Sequence, residues 1–299
     1  MNIIVTGASG FLGRELVTQL GESNKYTVVA LTSNKNELEK YFSENANVVV
    51  FDREGLFKQN IKIEKKDVLI NCAFPRSADQ DLAEGMEYVK SVLEVAVQNR
   101  IGAVINISSQ SVYSSKRKKP ANEEEKVQLN SMYAVGKYAT ELLTQSICRE
   151  IPYTNIRLAS LIGPGFDQRV TNKLVDIALD KKNLSIKIGK QYWGFLDVED
   201  AARGISSLLN IPLNKWIKIY NLGSNSAYTL LEVAQVIKKV LKETYDIEIS
   251  INTEVAESEQ SSALDSTAIE QDTGYVPTII LEESIRRIIS KKIDQLLIR

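Results

Sequence analysis

The stretch Asn2-Ile3-Ile4-Val5-Thr6-Gly7-Ala8-Ser9-Gly10-Phe11-Leu12-Gly13-Arg14 decides the fold. A β-rich run meets three regularly spaced glycines, and a helical pattern over Phe11–Leu20 follows at once. In that context Gly7 supplies the backbone angles of a tight strand-to-helix turn. Gly10 lets a pyrophosphate approach the main chain, and Gly13 lets helix and strand pack closely. The phosphate is expected on the free N–H groups at the helix N-terminus, where the dipole favours negative charge. Gly7, Ser9, Gly10, Phe11, Leu12, Gly13 and Arg14 are therefore the expected cofactor contacts of the turn.

Outward from this turn, strand and helix patterns alternate. Strands are expected at Asn2–Thr6, Tyr26–Leu31, Val48–Phe51, Asp67–Asn71, Ala103–Ile107 and Tyr153–Leu158, with helical stretches at Glu37–Ser43, Leu82–Val97 and Met132–Cys148. On the last of these Ala139, Leu142, Leu143 and Ile147 fall on one stripe. Such alternation predicts an α/β fold, a Rossmann-type doubly wound parallel sheet. Residues 1–158 form the expected dinucleotide-binding domain. Residues 159–299 are expected to form mainly a smaller C-terminal substrate lobe, with some segments returning to the first domain. Its pieces are a helix near Asn172–Asp180, strands near Ser185–Ile188, Ile217–Asn221 and Glu248–Asn252, and helices near Thr229–Glu243 and Leu281–Leu297. The polar stretch Ser115–Gln128 reads as a solvated loop. The terminal helix carries Leu281, Ile285, Ile288, Ile289, Leu296 and Leu297 on one side and is expected to dock onto the body.

Composition narrows the chemistry. The 299 residues include 37 Lys or Arg and 38 Asp or Glu, a net charge of -1, which speaks against a nucleic-acid binder. Apolar runs are strand-sized, so no membrane span is expected. Met1-Asn2 leads straight into a strand without a basic leader, and a cytoplasmic protein is the expectation. The chain has no His, which excludes a Ser-His-Asp triad and His-ligated metals, and its two Cys, Cys72 and Cys148, cannot build a cysteine-rich metal site. Acid–base work falls to Tyr, Lys, Ser, Asp or Glu.

The end of the second strand bears on the cofactor. NAD sites usually place a carboxylate there for the ribose 2′-OH, but this sequence has Thr32, followed by Ser33 and Lys35. With Arg14, these could hold a 2′-phosphate, so NADP is expected over NAD. Asp52 is a candidate for the adenine amino group. Further on, Tyr133-Ala134-Val135-Gly136-Lys137 opens a helix, with Ser108-Ser109-Gln110-Ser111 at the preceding strand end. Tyr133 and Lys137 lie four apart on one helix face. A neighbouring ammonium favours the phenolate, so Lys137 is expected to lower the Tyr133 pKa toward the working range.

These motifs together resemble the extended short-chain dehydrogenase/reductase family, the NAD-dependent epimerase/dehydratase group. The resemblance includes the glycine turn, Asn71-Cys72-Ala73, Ser108–Tyr113, the Tyr133/Lys137 pair, Arg157–Gly165, Phe195–Ala202 and Tyr220–Gly223. It implies Ser109, Tyr133 and Lys137 as the catalytic residues, Lys137 also holding the ribose, and Cys72 and Ala73 beside the cofactor. Sugar-nucleotide members carry an Asn where Ser160 stands and an arginine where Trp193-Gly194 stand. They carry another arginine where this chain has the acidic segment Glu254–Gln260. Gln110-Ser111 replaces the Asp-Glu of dehydratases. The resulting expectation is an NAD(P)-dependent oxidoreductase acting on a carbonyl or carbinol carbon of a small molecule, a carbonyl compound or a sugar derivative. A nucleotide-sugar epimerase on tightly bound NAD is one alternative, and a non-catalytic redox sensor is another. Helices starting at Leu82 and Ser131 are the expected seam of a homodimer.

Overall fold

The computed structural model describes residues 1–58, 61–75 and 82–297. Seven parallel strands form the central sheet: β1 (Asn2–Thr6), β2 (Thr27–Thr32), β3 (Val48–Asp52), β4 (Val68–Asn71), β5 (Ala103–Ser109), β6 (Tyr153–Leu158) and, from late in the chain, β10 (Ile219–Leu222). Their order is β10-β6-β5-β4-β1-β2-β3. Chain direction across the sheet reverses between β1 and β4, which opens a crevice at the strands' carboxyl ends. The strands are rich in Val and Ile because both faces are covered. Successive residues of β1 show this, with Ile3 and Val5 in one core and Ile4 in another. Helices α1 (Phe11–Glu22) and α6 (Val198–Ser207) pack against each other, as do α3 (Leu82–Gln98) and α4 (Met132–Ile147). Helix α2 (Lys35–Tyr41) leads into β3.

A third apolar cluster gathers α5 (Val170–Lys181), β8 (Asn183–Tyr192), α7 (Leu230–Tyr245) and α9 (Leu281–Leu297). Strand β8 pairs in parallel with β11 (Ser250–Ser261), and β7 (Ser160–Ile162) pairs with β9 (Phe195–Asp197). The remaining helix is α8 (Thr267–Thr273). Strand β11 runs well beyond the expected Glu248–Asn252, because its acidic residues face lysines: Glu254 is opposite Lys187 and Glu259 opposite Lys190. Short β7 and β9, α6 and α8 lack a long enough repeat to announce themselves. On α9, Leu281, Ile285, Ile288 and Ile289 are buried as expected, whereas Leu296 and Leu297 are exposed past the body's edge. Of the stripe Ala139, Leu142, Leu143 and Ile147 on α4, Leu142 stands exposed and the other three are half-buried. Among the described residues no helix is long and apolar enough to cross a membrane.

The loop Ser115–Gln128 is not simply solvated. Tyr113 bridges Val127, Ala121 bridges Leu264, and Asn221 Nδ2 donates to Ala121 O at 2.8 Å. Arg117, within the basic run, is buried.

Polar side chains tie the sheet together from within. Thr6, Asn71, Asn106 and Asn155 occupy one register row across β1, β4, β5 and β6. Thr6 Oγ1 donates to Asn71 Oδ1 (2.7 Å), Asn71 Nδ2 to Asn106 Oδ1 (2.9 Å), and Asn106 Nδ2 to Asn155 Oδ1 (2.9 Å). Two residues further along β5 and β6, Ser108 is opposite Arg157, and both bond Glu141 of α4. Arg157 donates to both Glu141 oxygens, at 3.0 and 2.8 Å, in a buried bidentate pair. Removing one member of such a pair leaves an uncompensated buried charge. Arg157→Met is expected to cost about 3–5 kcal/mol in urea unfolding, and the double variant with Glu141→Leu to recover most of that loss.

Candidate active site at the carboxyl edge of the sheet

The glycine turn is built as its spacing implies. Gly7 has φ +64°, in the left-handed region, and a Cβ there would stand 2.9 Å from Ala73 N. Gly10 N donates to Gly7 O at 2.9 Å, and a Cβ on Gly13 would collide with that same oxygen. Gly10 caps α1 without a side-chain bond, so the first N–H groups of α1, from Phe11 on, point out of the turn. This concave, side-chain-free surface fits a pyrophosphate. Ser9 and Phe11 are half-buried beside it and Leu12 is packed in the core. Ala73 N donates to Thr6 Oγ1 at 3.2 Å, which holds Cys72 and Ala73 against the turn.

Beyond β2, Thr32 is buried, and its Oγ1 accepts Asn34 N at 3.0 Å. Ser33 is exposed; Lys35 pairs with Glu39 at 3.5 Å. Arg14 donates to Ser9 O at 3.4 Å, lies 3.7 Å from Glu37 and sits over the Tyr41 ring. Thr32 is therefore a structural cap of its turn, while Ser33, Lys35 and Arg14 stay at the surface. Asp52 ends β3 exposed, opposite Thr32.

Ser109 ends β5, and Tyr133 stands in the first turn of α4, where Ser131 Oγ caps the helix by accepting Ala134 N at 3.2 Å. The Ser109 hydroxyl stands near enough to the Tyr133 phenol to favour its ionised form. Ser109 Oγ in turn accepts Ser111 N at 3.2 Å and lies 3.0 Å from Ser111 Oγ. Tyr133 keeps 38% of its surface exposed, yet burial around the phenol pushes its pKa up, opposed by Ser109 and by the Arg169 guanidinium. This corrects the expectation that Lys137 lowers it. Lys137 Nζ instead donates to Ile107 O at 2.8 Å and lies 4.3 Å from the Phe74 ring centre. Burial brings its own pKa down to about 8, against the pull of Cys72 and Glu141.

Three further side chains stand at the site, of which Phe74 carries no sequence signal of its own. Phe74 follows Cys72-Ala73 and presents its ring edge-on to Tyr133, centroids 5.4 Å apart. Arg169 lies over the Phe166 ring, which packs on Phe11 of the turn at 4.3 Å. Its proximity depends on how the Gly163–Arg169 segment folds back, which no local pattern announces. Gln110 lines a cleft of about 180 Å³ beside Ser109, with Ser111, Asn130, Ser131, Tyr192, Trp193 and Ser262 among the other walls. That cleft separates the carboxyl edge of β5 from the β8–β11 pair.

A glycine turn at a sheet switch point, with Ser109 near the Tyr133 phenol and a buried Lys one helical turn on, defines the class. It is a dinucleotide-dependent enzyme of the extended short-chain dehydrogenase/reductase type. The chain belongs to the NAD dependent epimerase/dehydratase family, whose model matches residues 3–223. UDP-glucuronic acid decarboxylase 1 of Arabidopsis thaliana is 26% identical over 313 residues, covering 97% of this chain and 69% of that protein. dTDP-glucose 4,6-dehydratase of Streptomyces niveus is 24% identical over 307 residues, covering 95% and 90%. A solved structure of UDP-glucuronic acid 4-epimerase from Bacillus cereus, in complex with UDP-glucuronic acid and NAD, has the same fold. It matches at TM-score 0.81 and 21% identity over 99% of this chain and 100% of that one.

The low Lys137 pKa has a consequence for stability. Between about pH 8 and its ordinary 10.5 the folded protein binds fewer protons here than the unfolded chain, so stability rises with pH. The burial penalty is full below about pH 8 and fades toward 10.5. Lys137→Met is therefore expected to gain more stability over the parent at pH 7 than at pH 10, read by urea unfolding of the cofactor-free protein.

Proposed function

We propose that this protein is an NAD(P)-dependent oxidoreductase moving hydride between a nicotinamide and a carbonyl or carbinol carbon of a small-molecule substrate, a sugar derivative in particular. The observation that carries the reading is the placement of Ser109, Tyr133 and Lys137 together at the carboxyl edge of the sheet, beside the glycine turn. In this reading residues 1–158 hold the dinucleotide and residues 159–299 supply mainly the substrate side. The nicotinamide, when bound, gives or takes the hydride. Ser109 and Tyr133 hold the substrate oxygen between their hydroxyls, and Tyr133 gives up its proton as that oxygen gains electron density during reduction. In the reverse direction the same phenol oxygen receives it. Lys137 is the ribose-holding residue in this reading, its ammonium held at the sheet edge by Ile107 O. Gly7, Ser9, Gly10, Phe11, Leu12 and Gly13 carry the pyrophosphate, with Cys72 and Ala73 beside it and Asp52 at the adenine.

NADP is the favoured cofactor, since no carboxylate ends β2 and Arg14, Ser33 and Lys35 ring that edge. Epimerisation on NAD is the second reading. The named relatives act on UDP-glucuronic acid and dTDP-glucose, and the same Ser, Tyr and Lys would serve an oxidation followed by re-reduction. The placement of Ser109 and Lys137 beside Tyr133 argues against a sensor without catalysis. A homodimer seam is supported by Val135 and Leu142, exposed on α4 next to α3. A cytoplasmic setting is supported by two free thiols, Cys72 and Cys148, both pushed up to about 12 by burial.

Calorimetric titration with NADPH and NADH is expected to favour NADPH by about tenfold or more, roughly 1.4 kcal/mol. Arg14→Ala should erase most of that preference, and tighter NADH binding by the parent would move the epimerase to first place. Tyr133→Phe is expected to cut hydride transfer, followed at 340 nm, by about 10²–10⁴-fold. Its affinity for NADPH should stay within about threefold of the parent. Unchanged turnover would overturn the catalytic assignment.

A further inference from the structure

The two cations near the end of β2 are each matched by a carboxylate of α2. Arg14 Nη2 lies 3.7 Å from Glu37 Oε1, and Lys35 Nζ lies 3.5 Å from Glu39 Oε1. All four side chains are exposed, Glu37 the most at 62%. The Arg14–Glu37 pair joins α1 to α2, whereas Lys35 and Glu39 pair within α2.

Glu37 is not used to cap its helix. It is the third residue of α2, where a glutamate commonly accepts the backbone N–H of the capping residue. Here that N–H, of Asn34, goes to Thr32 Oγ1 at 3.0 Å. Glu37 instead takes the Asn34 side-chain amide on Oε2 and faces Arg14 with Oε1. Arg14 has other anchors. Its Nη2 donates to Ser9 O at 3.4 Å, and its guanidinium stands 5.3 Å from the centre of the Tyr41 ring. Without Glu37 the guanidinium would keep both contacts and lose the one ion pair it makes among the described residues.

We propose that Glu37 is a specificity-determining residue of the cofactor site, a built-in competitor for Arg14 that a ribose 2′-phosphate must displace and a 2′-hydroxyl need not. The assignment rests on the reading of Arg14 as the 2′-phosphate contact. An exposed pair 3.7 Å apart holds weakly, whereas a phosphate takes a guanidinium through two parallel N–H···O bonds. Displacement is therefore favourable. The released carboxylate, however, stays close to a group carrying roughly two negative charges, and repels it. The Asn34 amide already holds one of its oxygens and gives it a resting place away from Arg14. With a 2′-hydroxyl the pair stays closed, and the two cations and two carboxylates of this edge balance. Glu37 thus narrows the gap between the two cofactors by weakening NADP, not by strengthening NAD.

The test is calorimetric titration of the full chain with adenosine 2′,5′-bisphosphate and with AMP, which differ only in the 2′-phosphate, and with NADPH and NADH. Glu37→Gln is expected to tighten the bisphosphate and NADPH by about three- to tenfold, and to leave AMP and NADH within about twofold of the parent. Glu37→Ala, which cannot hydrogen-bond Arg14 at all, should act in the same direction. In an Arg14→Ala background the gain should vanish, which a loss of helix stability alone would not produce. Glu44→Gln removes the same charge beyond the C-terminal end of α2 and should move none of the four affinities. Bisphosphate affinity unchanged in both Glu37 variants, or an equal gain without Arg14, overturns the proposal. So does weaker AMP and NADH binding, which would make Glu37 an acceptor for the ribose hydroxyls. A parent that prefers NADH yet gains NADPH affinity in Glu37→Gln sinks the NADP reading and sustains the proposal. A parent that prefers NADPH and does not respond at position 37 does the reverse.

Discussion

One row of hydrogen-bonded side chains, Thr6 to Asn71 to Asn106 to Asn155, fixes the register of four adjacent strands. Parallel strands that are apolar on both faces have little else to specify register, because a slipped Val or Ile still finds apolar neighbours. Buried amides tolerate no such slip, since each lost partner costs about 1–3 kcal/mol. With the row in place, the residues that follow it arrive together at one edge: the glycine turn after Thr6, Cys72-Ala73 after Asn71, Ser109 three places beyond Asn106. Thr6 links the two functions directly, since its hydroxyl also accepts Ala73 N and so pins the β4 end to the turn.

Helix α4 extends this frame to the reacting groups. Tyr133, Lys137 and Glu141 lie four residues apart on a single stripe. The far end of the stripe is locked by Glu141 in its pair with Arg157 and its bond to Ser108, and Asn106 Nδ2 reaches Thr140 Oγ1 at 3.2 Å. The near end is set by the Ser131 cap. The phenol therefore takes its position from contacts a full two turns away. Arg157 does further work by stacking over Tyr113, whose hydroxyl donates to Asn221 Oδ1 at 2.8 Å and so couples β6 to β10.

The sheet, its helices and the glycine turn were legible because each rests on local rules: strand-length apolar runs, helical periodicity, glycine where a Cβ would collide. Ser109, Tyr133 and Lys137 were found by spacing plus the strand end that faces them. What the sequence hid depends on distant partners. Arg117 looked solvated because its acceptors, Ala263 and Gln110, lie outside the basic run. Strand β11 extends past the expected Glu248–Asn252 because β8, distant in sequence, places lysines opposite its acidic residues. The tuning of Tyr133 was read from its nearest cation in sequence, whereas burial, Ser109 and Arg169 set it in the fold. Thr32 was read as a missing carboxylate and is also the cap of its own turn.

The Phe74 ring packs against both the Lys137 ammonium and the Tyr133 ring. It fits there because position 136 has no side chain: a Cβ on Gly136 would stand 2.7 Å from Phe74 Cζ and 2.5 Å from Leu82 Cδ1. Residues 74, 82 and 136 are thus a single volume shared among three segments of the chain, two of them in helices. A methyl added at 136 must be taken from 74 or 82. Directed evolution of this enzyme would find these positions changing as a set, with most single steps closed and the paired ones open.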